Sequence, residues 1–387
     1  MLARYVPNLD PGAWLRWLCA DDTRAGTAWS RLATRLGAGS HFENHYVFDS
    51  LRTGLFAYFS SLAGQGRAGD VLVSSQICAA VPHALRSAGF TVRFVDIDSS
   101  YPTPGAREYA NALDQRTVGI VVAPLYGHIQ SEWGSVLQVI GDRILVLDLA
   151  QGIGITRPIE LLCRRADAVA YSFGLGKGMD TGGGLVLARR RLDLPVLRSR
   201  GKIGMVAALR NATLLKAVVA LGLYSSVAYL ADDYDSGPAT RLDKGAIYPA
   251  NLAILWDLKL QTFQNEVRLA RERASTLGNI APLAEYLRDR AIYFGSEGSH
   301  LRQLIRVRDP LRRDTLVGRL RKAGIDCAAA GEPLPDGMVG ADGRNQFPNA
   351  ARFRNDAVRL PFLGRLSAGR FHQFRTTLER IIVEHLS

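Results

Sequence analysis

The sequence predicts an α/β fold with a mostly parallel central sheet, and two features of residues 50–188 support this prediction. Short β-rich runs alternate with helical stretches, as in parallel strands joined by crossover helices. Several of these runs are continuously apolar, as expected of strands that are covered on both faces. The predicted strands are 70–75, 91–98, 118–125, 144–150, 167–173 and 184–189, and the helical stretches between them include 51–63, 78–88 and 131–140.

Beyond about residue 250 the helical stretches become longer and the strands shorter and fewer. This change predicts a second, smaller α+β unit. We therefore expect an N-terminal helical segment (1–40) packed on the small domain, a large ligand-binding α/β domain (41–250) and a small C-terminal α+β domain (251–387). The predicted elements of the last part are helices 252–288, 311–323 and 368–385, strands 304–309 and 357–362, and a loop at 331–349.

The chain is basic: 48 Lys and Arg against 36 Asp and Glu give a formal net charge of +12. Such a balance favours anionic partners, either nucleic acid or phosphorylated small molecules, or it reflects a solvated surface. The sequence has no basic arm and no arginine–aromatic alternation, so we expect small phosphorylated ligands and no nucleic acid. The four cysteines are far apart and form no CxxC pair, which argues against a zinc site and a disulfide framework. We expect no metal.

Membrane insertion is not expected. The N-terminus has no signal-peptide core, and the most apolar run, 214–231, carries Lys216 and two serines and is marginal for a span of about 20 residues. This run predicts a buried or interface helix, and the expected location is the cytoplasm.

Two glycine-rich stretches resemble phosphate-binding motifs without fitting them. "GQGRAG" (64–69) matches G-x-G-x-x-G by its letters, but it follows a predicted helix and precedes a strand, the reverse of what a dinucleotide site needs. "SFGLGKGMDTGGG" (172–184) places Lys177 among glycines, yet a P-loop requires a Gly where Tyr171 stands and Ser or Thr where Gly178 stands. Lys177 is therefore a surface charge or a covalent catalyst.

If Lys177 is a covalent catalyst, its cofactor requires further groups, and the sequence contains a candidate for each of them. A lysine in a dry pocket exposes a neutral amine that attacks carbonyls, and pyridoxal phosphate is its usual aldehyde partner. That cofactor also needs a carboxylate for its pyridine nitrogen, and Asp148 ends a predicted strand. Its phosphate needs donors, which Ser172 and the start of the helix in "SLRTGL" (50–55) supply. A helix cap remains the alternative for Asp148 and for Ser172.

At these residues the chain resembles a known family. "LVLDLAQGIG" (145–154) and "AYSFGLGKGMDTGGGLVL" (170–187) are similar to the core of the DegT-type aminotransferases, which are fold-type I pyridoxal phosphate enzymes. Further similar landmarks are "GDVLVSSQICAAVPHALRSAGFTVRFVDID" (69–98), "APLYGH" (123–128), "LRKAGID" (320–326) and "FPNAARFRNDAVRLPFLGRL" (347–366). The resemblance covers about 40–380 and implies a three-layer fold, a homodimer with shared active sites, and pyridoxal 5′-phosphate as cofactor.

The resemblance also implies roles for individual residues. Lys177 would form the Schiff base with the cofactor and carry the proton, and Asp148 would keep the pyridine nitrogen protonated. Gln151 would lie near the phenolic oxygen of the ring. Ser172 and the amides around Leu51 and Arg52 would hold the phosphate.

The chain departs from the family pattern in three places. The family has glycine where Leu51 stands, and an aromatic residue that stacks on the ring where Gln76 stands; the amide of Gln76 would contact the ring or the substrate instead. The asparagine that reaches the phosphate of the partner subunit has no clear counterpart, and Asn251 is the nearest. These departures bear on the substrate and on the reaction.

Three functions remain open at this point. The first is an aminotransferase that moves an amino group from glutamate or glutamine to a keto-sugar, which we expect to be nucleotide-linked, in amino-sugar biosynthesis. The second is a dehydratase, oxidase or other non-transaminating enzyme with the same cofactor, an alternative motivated by Gln76. The third is a non-catalytic scaffold, against which the intact set of Lys177, Asp148 and Ser172 argues.

Overall fold

A computed structural model gives the architecture of the chain. It describes residues 10–20, 25–38, 41–128, 133–155, 157–174, 176–194, 198–199, 209–210, 213–214, 216–217, 246–247, 252–278, 301–307, 310–332 and 346–386. Most of the apolar run 214–231, the predicted helical residues 279–288 and Asn251 lie outside these ranges.

A large mixed sheet forms the centre of the described structure. Its strands follow the order β3-β2-β4-β5-β6-β7-β1, and two short two-residue strands, β9 and β8, extend it beyond β1. Strands β2 to β6 pair in parallel, whereas β7 runs antiparallel to both of its neighbours, β6 and β1. The bounds are β1 Asn44–Phe48, β2 Asp70–Ser74, β3 Thr91–Val95, β4 Thr117–Val122, β5 Ile144–Asp148, β6 Ala168–Ser172, β7 Gly184–Ala188, β8 Arg198–Ser199 and β9 Ala246–Ile247.

Helices cover both faces of this sheet, which confirms the predicted three-layer α/β fold. The bounds are α1 Pro11–Leu18, α2 Ala25–Arg35, α3 Leu51–Gly64, α4 Ala80–Ser87, α5 Ala106–Ala112, α6 Trp133–Ile140 and α7 Arg157–Arg165. In β5, Leu145 and Leu147 enter one hydrophobic cluster while Ile144 and Val146 enter the other. Alternate side chains of one strand thus fill two separate cores, which explains why the strand is continuously apolar.

All six predicted strands are present, and the structure adds β1, which the sequence reading missed. Each predicted helix between the strands is also present, with ends within a few residues of expectation. Strand β1 begins with two polar residues, Asn44 and His45. It pairs with β7, where Asn44 lies opposite Ala188. Because the partner strand is distant in sequence, no local pattern predicts β1.

The C-terminal part contains a second, antiparallel sheet in the order β10-β12-β11. Its strands are β10 Gln303–Arg306, β11 Ala328–Ala329 and β12 Ala357–Leu360. The helices of this part are Pro310–Lys322, Pro348–Asp356 and Ala368–Leu386. The helices Pro310–Lys322 and Ala368–Leu386 pack on the small sheet around a separate apolar core that includes Ile305, Leu320 and Phe374. The division of the chain into domains at residues 40 and 250 stays a prediction.

A long helix, Leu252–Gly278, connects these regions. Its residues Trp256 and Phe263 belong to the core on one face of the large sheet, whereas Leu277 belongs to the core of the small sheet. In the same helix, the buried Asp257 forms ion pairs of 2.7 Å with Arg31 and with Arg35 of α2. The N-terminal helices therefore pack on this long helix.

Candidate active site

The candidate residues gather at one edge of the large sheet. Asp148 ends β5 and Ser172 ends the neighbouring strand β6, while Lys177 lies in the loop that follows β6. Helix α3 begins at Leu51, three residues after β1 ends. Carboxyl ends of neighbouring parallel strands meet at the same edge, which is where open α/β sheets bind ligands.

Asp148 is a buried carboxylate whose charge interacts with that of Lys177. Its side chain lies under the surface, with a residue exposure of 6%. Oδ1 accepts a hydrogen bond of 2.9 Å from the amide of Ala150. Burial raises the pKa of Asp148, and the amide of Ala150 and the charge of Lys177 both oppose this rise. The charges of the two residues therefore interact, and their predicted roles at the two ends of a cofactor ring stay predictions.

The loop that carries Lys177 needs its glycines. Lys177 N–H donates to the carbonyl of Gly174 at 3.1 Å, which closes a tight turn. Gly178 has a φ of +100°, and a Cβ there would lie 2.6 Å from Cε2 of Phe263 in the long helix. A side chain at position 178 would meet both backbone strain and steric overlap. The glycine-rich stretch is thus a closely packed loop that fixes Lys177.

A second feature joins Ser172 to the start of α3. In the antiparallel β6–β7 pair Ser172 lies opposite Gly184. A Cβ on Gly184 would lie 2.6 Å from Cα of Leu51. Only a glycine allows this approach, and it brings the first turn of α3 close to Ser172. The side chain of Ser50 caps the helix by accepting from the amide of Thr53 at 3.2 Å.

This arrangement is suited to an anion. The first amides of a helix have no intrahelical acceptor and carry partial positive charge, so they attract phosphate groups. Leu51 and Arg52 are the first two residues of α3, and Ser172, which could add a hydroxyl donor, ends β6 opposite Gly184. Leu51 stands where the resembled family has glycine, and here Gly184 provides the close approach from the opposite side.

Lys177 opens into a pocket that the small sheet helps to build. The other side chains that line it include Cys78, Tyr126, Gln151, Arg302, Glu332 and Arg359. Three of the lining side chains are cationic, counting Lys177, and one is a carboxylate. The pocket therefore favours ligands that carry negative charge.

Gln151 lines this pocket as predicted, but its amide already has a partner. Its Oε1 accepts a hydrogen bond of 2.6 Å from the amide of Tyr126. Tyr126 has a φ of +57°, which is rare for a residue with a large side chain. Gln151 therefore stabilises an unusual backbone conformation in the pocket wall, and its predicted position near the cofactor ring stays a prediction.

Gln76 is buried and hydrogen-bonded to the small-sheet side of the pocket. Its Nε2 donates to the carbonyl of Glu332 at 3.3 Å, and its Oε1 accepts from the amide of Glu332 at 2.8 Å. The hydroxyl of Tyr126 accepts from the amide of Gly331 at 3.1 Å. The amide of Gln76 thus binds main chain, whereas the sequence reading expected it to contact a ring or a substrate; a contact with a cofactor stays a prediction.

Several pocket residues were missed by sequence reasoning. Cys78 is accessible from the pocket, although the surrounding protein raises the pKa of its thiol, an effect that Lys177 opposes. Arg302, Glu332 and Arg359 lie in the C-terminal part, which the sequence reading treated as a separate domain. The only signal for Tyr126 was its place in "APLYGH" (123–128). No local pattern indicated that the other side chains would reach Lys177.

The arginine-rich stretch 306–313 lies partly outside the described residues, and its described members make contacts within the protein. Arg306 forms an ion pair of 3.1 Å with Asp356. Arg313 pairs with Asp314 at 2.6 Å. These contacts favour a structural role for the two arginines. His128 is also buried, and its Nε2 lies 3.0 Å from the carbonyl oxygen of Arg302.

Comparison with known proteins gives the chain a context. Residues 30–193 match the model of the DegT/DnrJ/EryC1/StrS aminotransferase family. Among proteins of curated function, none matches the chain at a significant level. Within the described residues, no helix is both long and apolar enough to cross a bilayer.

Solved structures share the fold of this chain. The aminotransferase TlmJ from Streptoalloteichus hindustanus is 18% identical, with a TM-score of 0.69 and full coverage of both chains. The sugar aminotransferase CalS13 from Micromonospora echinospora is 17% identical, with a TM-score of 0.68, and the match covers 98% of this chain and 100% of that one. The E. coli GDP-4-keto-6-deoxy-D-mannose-3-dehydratase, solved with hydrated PLP, is 14% identical with a TM-score of 0.66, and the match covers 98% and 99% of the two chains.

Proposed function

Because residues 30–193 match the DegT/DnrJ/EryC1/StrS aminotransferase family, as the sequence resemblance implied, we propose that this chain is a pyridoxal 5′-phosphate-dependent aminotransferase. It takes an amino group from glutamate or glutamine and transfers it to a keto-sugar that is linked to a nucleotide. One observation carries this proposal: Asp148 and Ser172 end neighbouring parallel strands at the carboxyl edge of the large sheet, and Lys177 follows Ser172 in a loop from which its charge interacts with Asp148.

The residues at this edge fit the cofactor. Asp148 is a buried carboxylate, which is what a protonated pyridine nitrogen needs as its partner. The first amides of α3 and the hydroxyl of Ser172 lie on the two sides of Gly184, where a phosphate would be held. Lys177 would supply the amine that joins the cofactor. Gln151 and Arg52 complete the proposed set.

When bound there, the cofactor would act as an electron sink for the carbon that bears the amino group. The side chains of this chain would do the remaining work. Asp148 would stabilise positive charge on the nitrogen beside it through a charge-assisted hydrogen bond. Nζ of Lys177 would take a proton from the donor carbon and return it to a neighbouring atom. The packed loop around Gly178 would keep Nζ aimed at that carbon.

The charge of the pocket supports the proposed substrates. Arg302 and Arg359 lie on the small-sheet side of the pocket that Lys177 also lines. Guanidinium groups bind carboxylates and phosphates in a bidentate manner. Glutamate carries carboxylates and a nucleotide-linked sugar carries a diphosphate, so both would be attracted. We further propose a cytoplasmic homodimer with shared active sites, which the family resemblance implies.

A second candidate keeps the cofactor and changes the reaction to a dehydration or another non-transaminating step. It is favoured by Gln76, which stands at the position of the stacking aromatic and binds the main chain of Glu332. A ring that is not stacked from that side would be held differently. Structural similarity to a sugar 3-dehydratase is compatible with this candidate.

The test has two stages. Purified protein is mixed with pyridoxal 5′-phosphate and reduced with borohydride, and the modified peptide is identified by mass spectrometry. We expect a single modification on Lys177, and Lys177→Arg serves as the control that abolishes it. A protein that takes up no cofactor would overturn the proposal and favour a scaffold.

The second stage separates the two enzymatic candidates. Glutamate or glutamine is added to the loaded protein, and conversion of the cofactor to its amine form is followed by absorbance and by mass. Conversion supports an aminotransferase. A loaded protein that no amino acid converts, but that releases water from a keto-sugar nucleotide, would support the second candidate.

A further inference from the structure

A buried cluster of charged side chains, which we name the Asp180 cluster, surrounds the loop after Lys177. Its members are Asp180, Lys259, Glu266 and Arg365. Arg365 forms an ion pair of 2.8 Å with Asp180 and one of 2.7 Å with Glu266. The side chains of Arg365, Asp180 and Glu266 have exposures of 7%, 0% and 14%. These pairs are therefore largely shielded from solvent.

The cluster binds the loop on both sides of Lys177. Oδ1 of Asp180 accepts a hydrogen bond of 3.3 Å from the amide of Gly176. Nη2 of Arg365 donates to the carbonyl of Gly178. The residue before Lys177 and the residue after it are thus both held by members of one ion pair. Asp180 itself has a φ of +59°, a conformation that such contacts must maintain.

Three regions of the chain meet in this cluster. Asp180 belongs to the loop of Lys177, Glu266 and Lys259 belong to the long helix, and Arg365 follows the small-sheet strand β12. A Cβ on Gly364 would lie 2.7 Å from the carbonyl carbon of Glu266, so the chain at Arg365 runs directly against the helix. The loop of Lys177 is thereby connected to elements that lie far from it in sequence.

The charges of the cluster are balanced, with two acids and two bases. Lys259 is 1% exposed, and burial lowers its pKa to about 8 while the charge of Asp180 opposes this shift. A buried ion pair gives little net stability compared with apolar packing, because desolvation offsets the attraction. Such a cluster is better explained by specificity of position than by stability, and the position that it specifies is that of residues 176–180.

We propose that Arg365, acting through Asp180, is a positioning residue for Lys177. The ion pair fixes the turn at Gly176 and Gly178, and this turn directs Nζ toward its reaction partner. Arg365 contacts the loop at the carbonyl of Gly178 and at Asp180, next to Lys177, so we expect its effect on the reaction to pass through Lys177. The inference deepens the proposed function, because the catalytic role of Lys177 rests on it.

The experiment compares two buried aspartates that each pair with an arginine. Asp180→Asn removes the charge that Arg365 binds, and Asp356→Asn is the matched control. Asp356 pairs with Arg306 at 3.1 Å, with side-chain exposures of 7% and 13%. Both variants lose one buried ion pair, but Asp356 lies in the small-sheet region. Thermal unfolding shows that each variant is folded and by how much each is destabilised.

Two measurements on the cofactor-free protein report on the loop itself. The first is backbone hydrogen exchange of the peptide that covers 173–184. We expect Asp180→Asn to accelerate exchange in this peptide about tenfold or more, since local opening becomes easier when contacts are lost. The second is the pH dependence of acetylation at Lys177, which gives the protonation of Nζ. We expect this profile to move in Asp180→Asn and to stay unchanged in Asp356→Asn.

A merely structural role for the cluster predicts a different result. Asp180→Asn and Asp356→Asn would then both be destabilised, with equal exchange at 173–184 and with the same acetylation profile at Lys177, and this outcome would overturn the inference. If Asp180→Asn does not fold, Arg365→Lys supports the same comparison, because it retains the charge and loses the forked contacts.

Failure of the inference is distinguishable from failure of the proposed function. A wild-type protein that never joins the cofactor at Lys177 would overturn the proposed function, whereas the exchange and acetylation measurements would still decide the role of Arg365. In the loaded enzyme, we expect Asp180→Asn to lower kcat with little change in KM for the amino donor, since Lys177 acts on the bound substrate.

Discussion

The pocket has two walls that are built in different ways. One wall consists of loops that follow strands of the large sheet, with Tyr126, Gln151 and Lys177, and two of these strands end at Asp148 and Ser172. The other wall consists of Arg302, Glu332 and Arg359 from the C-terminal part. Hydrogen bonds such as that between Gln76 and Glu332, 256 positions apart, join the two walls.

The two walls differ in what they contribute: one bears on the reaction and the other on the choice of substrate. The strands and loop on the large-sheet side contain the groups that a covalent cofactor needs, and their spacing follows from the order of adjacent strands. The small-sheet wall contributes charge and shape around the amine of Lys177. We therefore expect that changes in the first wall abolish the reaction, whereas changes in the second alter which substrates react and how well they bind.

Lys177→Arg is expected to have the largest effect. Arginine keeps the positive charge but does not deprotonate near neutral pH, so it cannot join an aldehyde or move a proton. Activity should fall by about 10²–10⁴-fold from the loss of proton transfer alone. Amino transfer is measured with a saturating donor, and thermal unfolding serves as the control for folding. Retained activity in this variant would remove Lys177 from the mechanism.

Asp148→Asn should have the next largest effect on activity. Asparagine fills the same space and keeps an acceptor for the amide of Ala150, but it lacks the charge. A hydrogen bond to a charged group contributes about 1.5–3 kcal/mol, which corresponds to about 10- to 150-fold in rate. The measurement is kcat with saturating cofactor. An unchanged kcat would show that the carboxylate serves only as a cap.

The same substitution should alter the pH dependence of stability in the cofactor-free protein. Burial raises the pKa of Asp148 above the ordinary value of 3.8, so the folded state binds this proton more tightly than the unfolded state does. Its contribution to stability is complete below pH 3.8 and declines as the pH rises through the folded-state pKa. Thermal unfolding of wild type and Asp148→Asn across this range should give a difference that grows in favour of the variant as the pH rises. A difference in stability that does not change with pH would contradict a raised pKa of Asp148 in the folded state.

The two walls also differ in how far they follow from sequence. Asp148 and Ser172 were identified because each ends an apolar run, and the parallel strand order brings such ends together. The antiparallel direction of β7 and the presence of β1 were not identified, because the pairing of Asn44 with Ala188 depends on a partner 144 residues away. The small-sheet residues depend on docking between distant segments, which no local period encodes.

Gly178 illustrates the boundary between these cases. The sequence alone predicts a glycine-rich loop around Lys177. The physical reason is the ring of Phe263, 85 positions away, against which a side chain at position 178 would overlap. Local composition thus indicates that a close approach occurs, while the partner in that approach is specified by tertiary packing.

Gly178→Ala should lower the free energy of unfolding. The new methyl group overlaps Phe263 and the residue retains a φ near +100°, so overpacking should cost about 1–3 kcal/mol. Gly134→Ala in α6 is the matched control, because a Cβ there meets no atom within 4 Å, and helix propensity predicts a gain of up to about 1 kcal/mol. Denaturant unfolding of both variants checks the contrast, and a second change, Phe263→Leu, should recover part of the loss at Gly178.

The smallest effect is expected where the two walls meet. Gln76→Leu removes both hydrogen bonds to Glu332 and leaves the amide and carbonyl of that residue without their side-chain partners. The unpaired groups should lower the free energy of unfolding by about 1–3 kcal/mol if they stay buried, and by less if water reaches them. Because the docking of Glu332 loosens, KM for the acceptor sugar should rise more than kcat falls. Gln65→Leu at the exposed end of α3 gives the background of this substitution, and equal effects of the two variants on KM would mean that the contact between the walls does not shape the pocket.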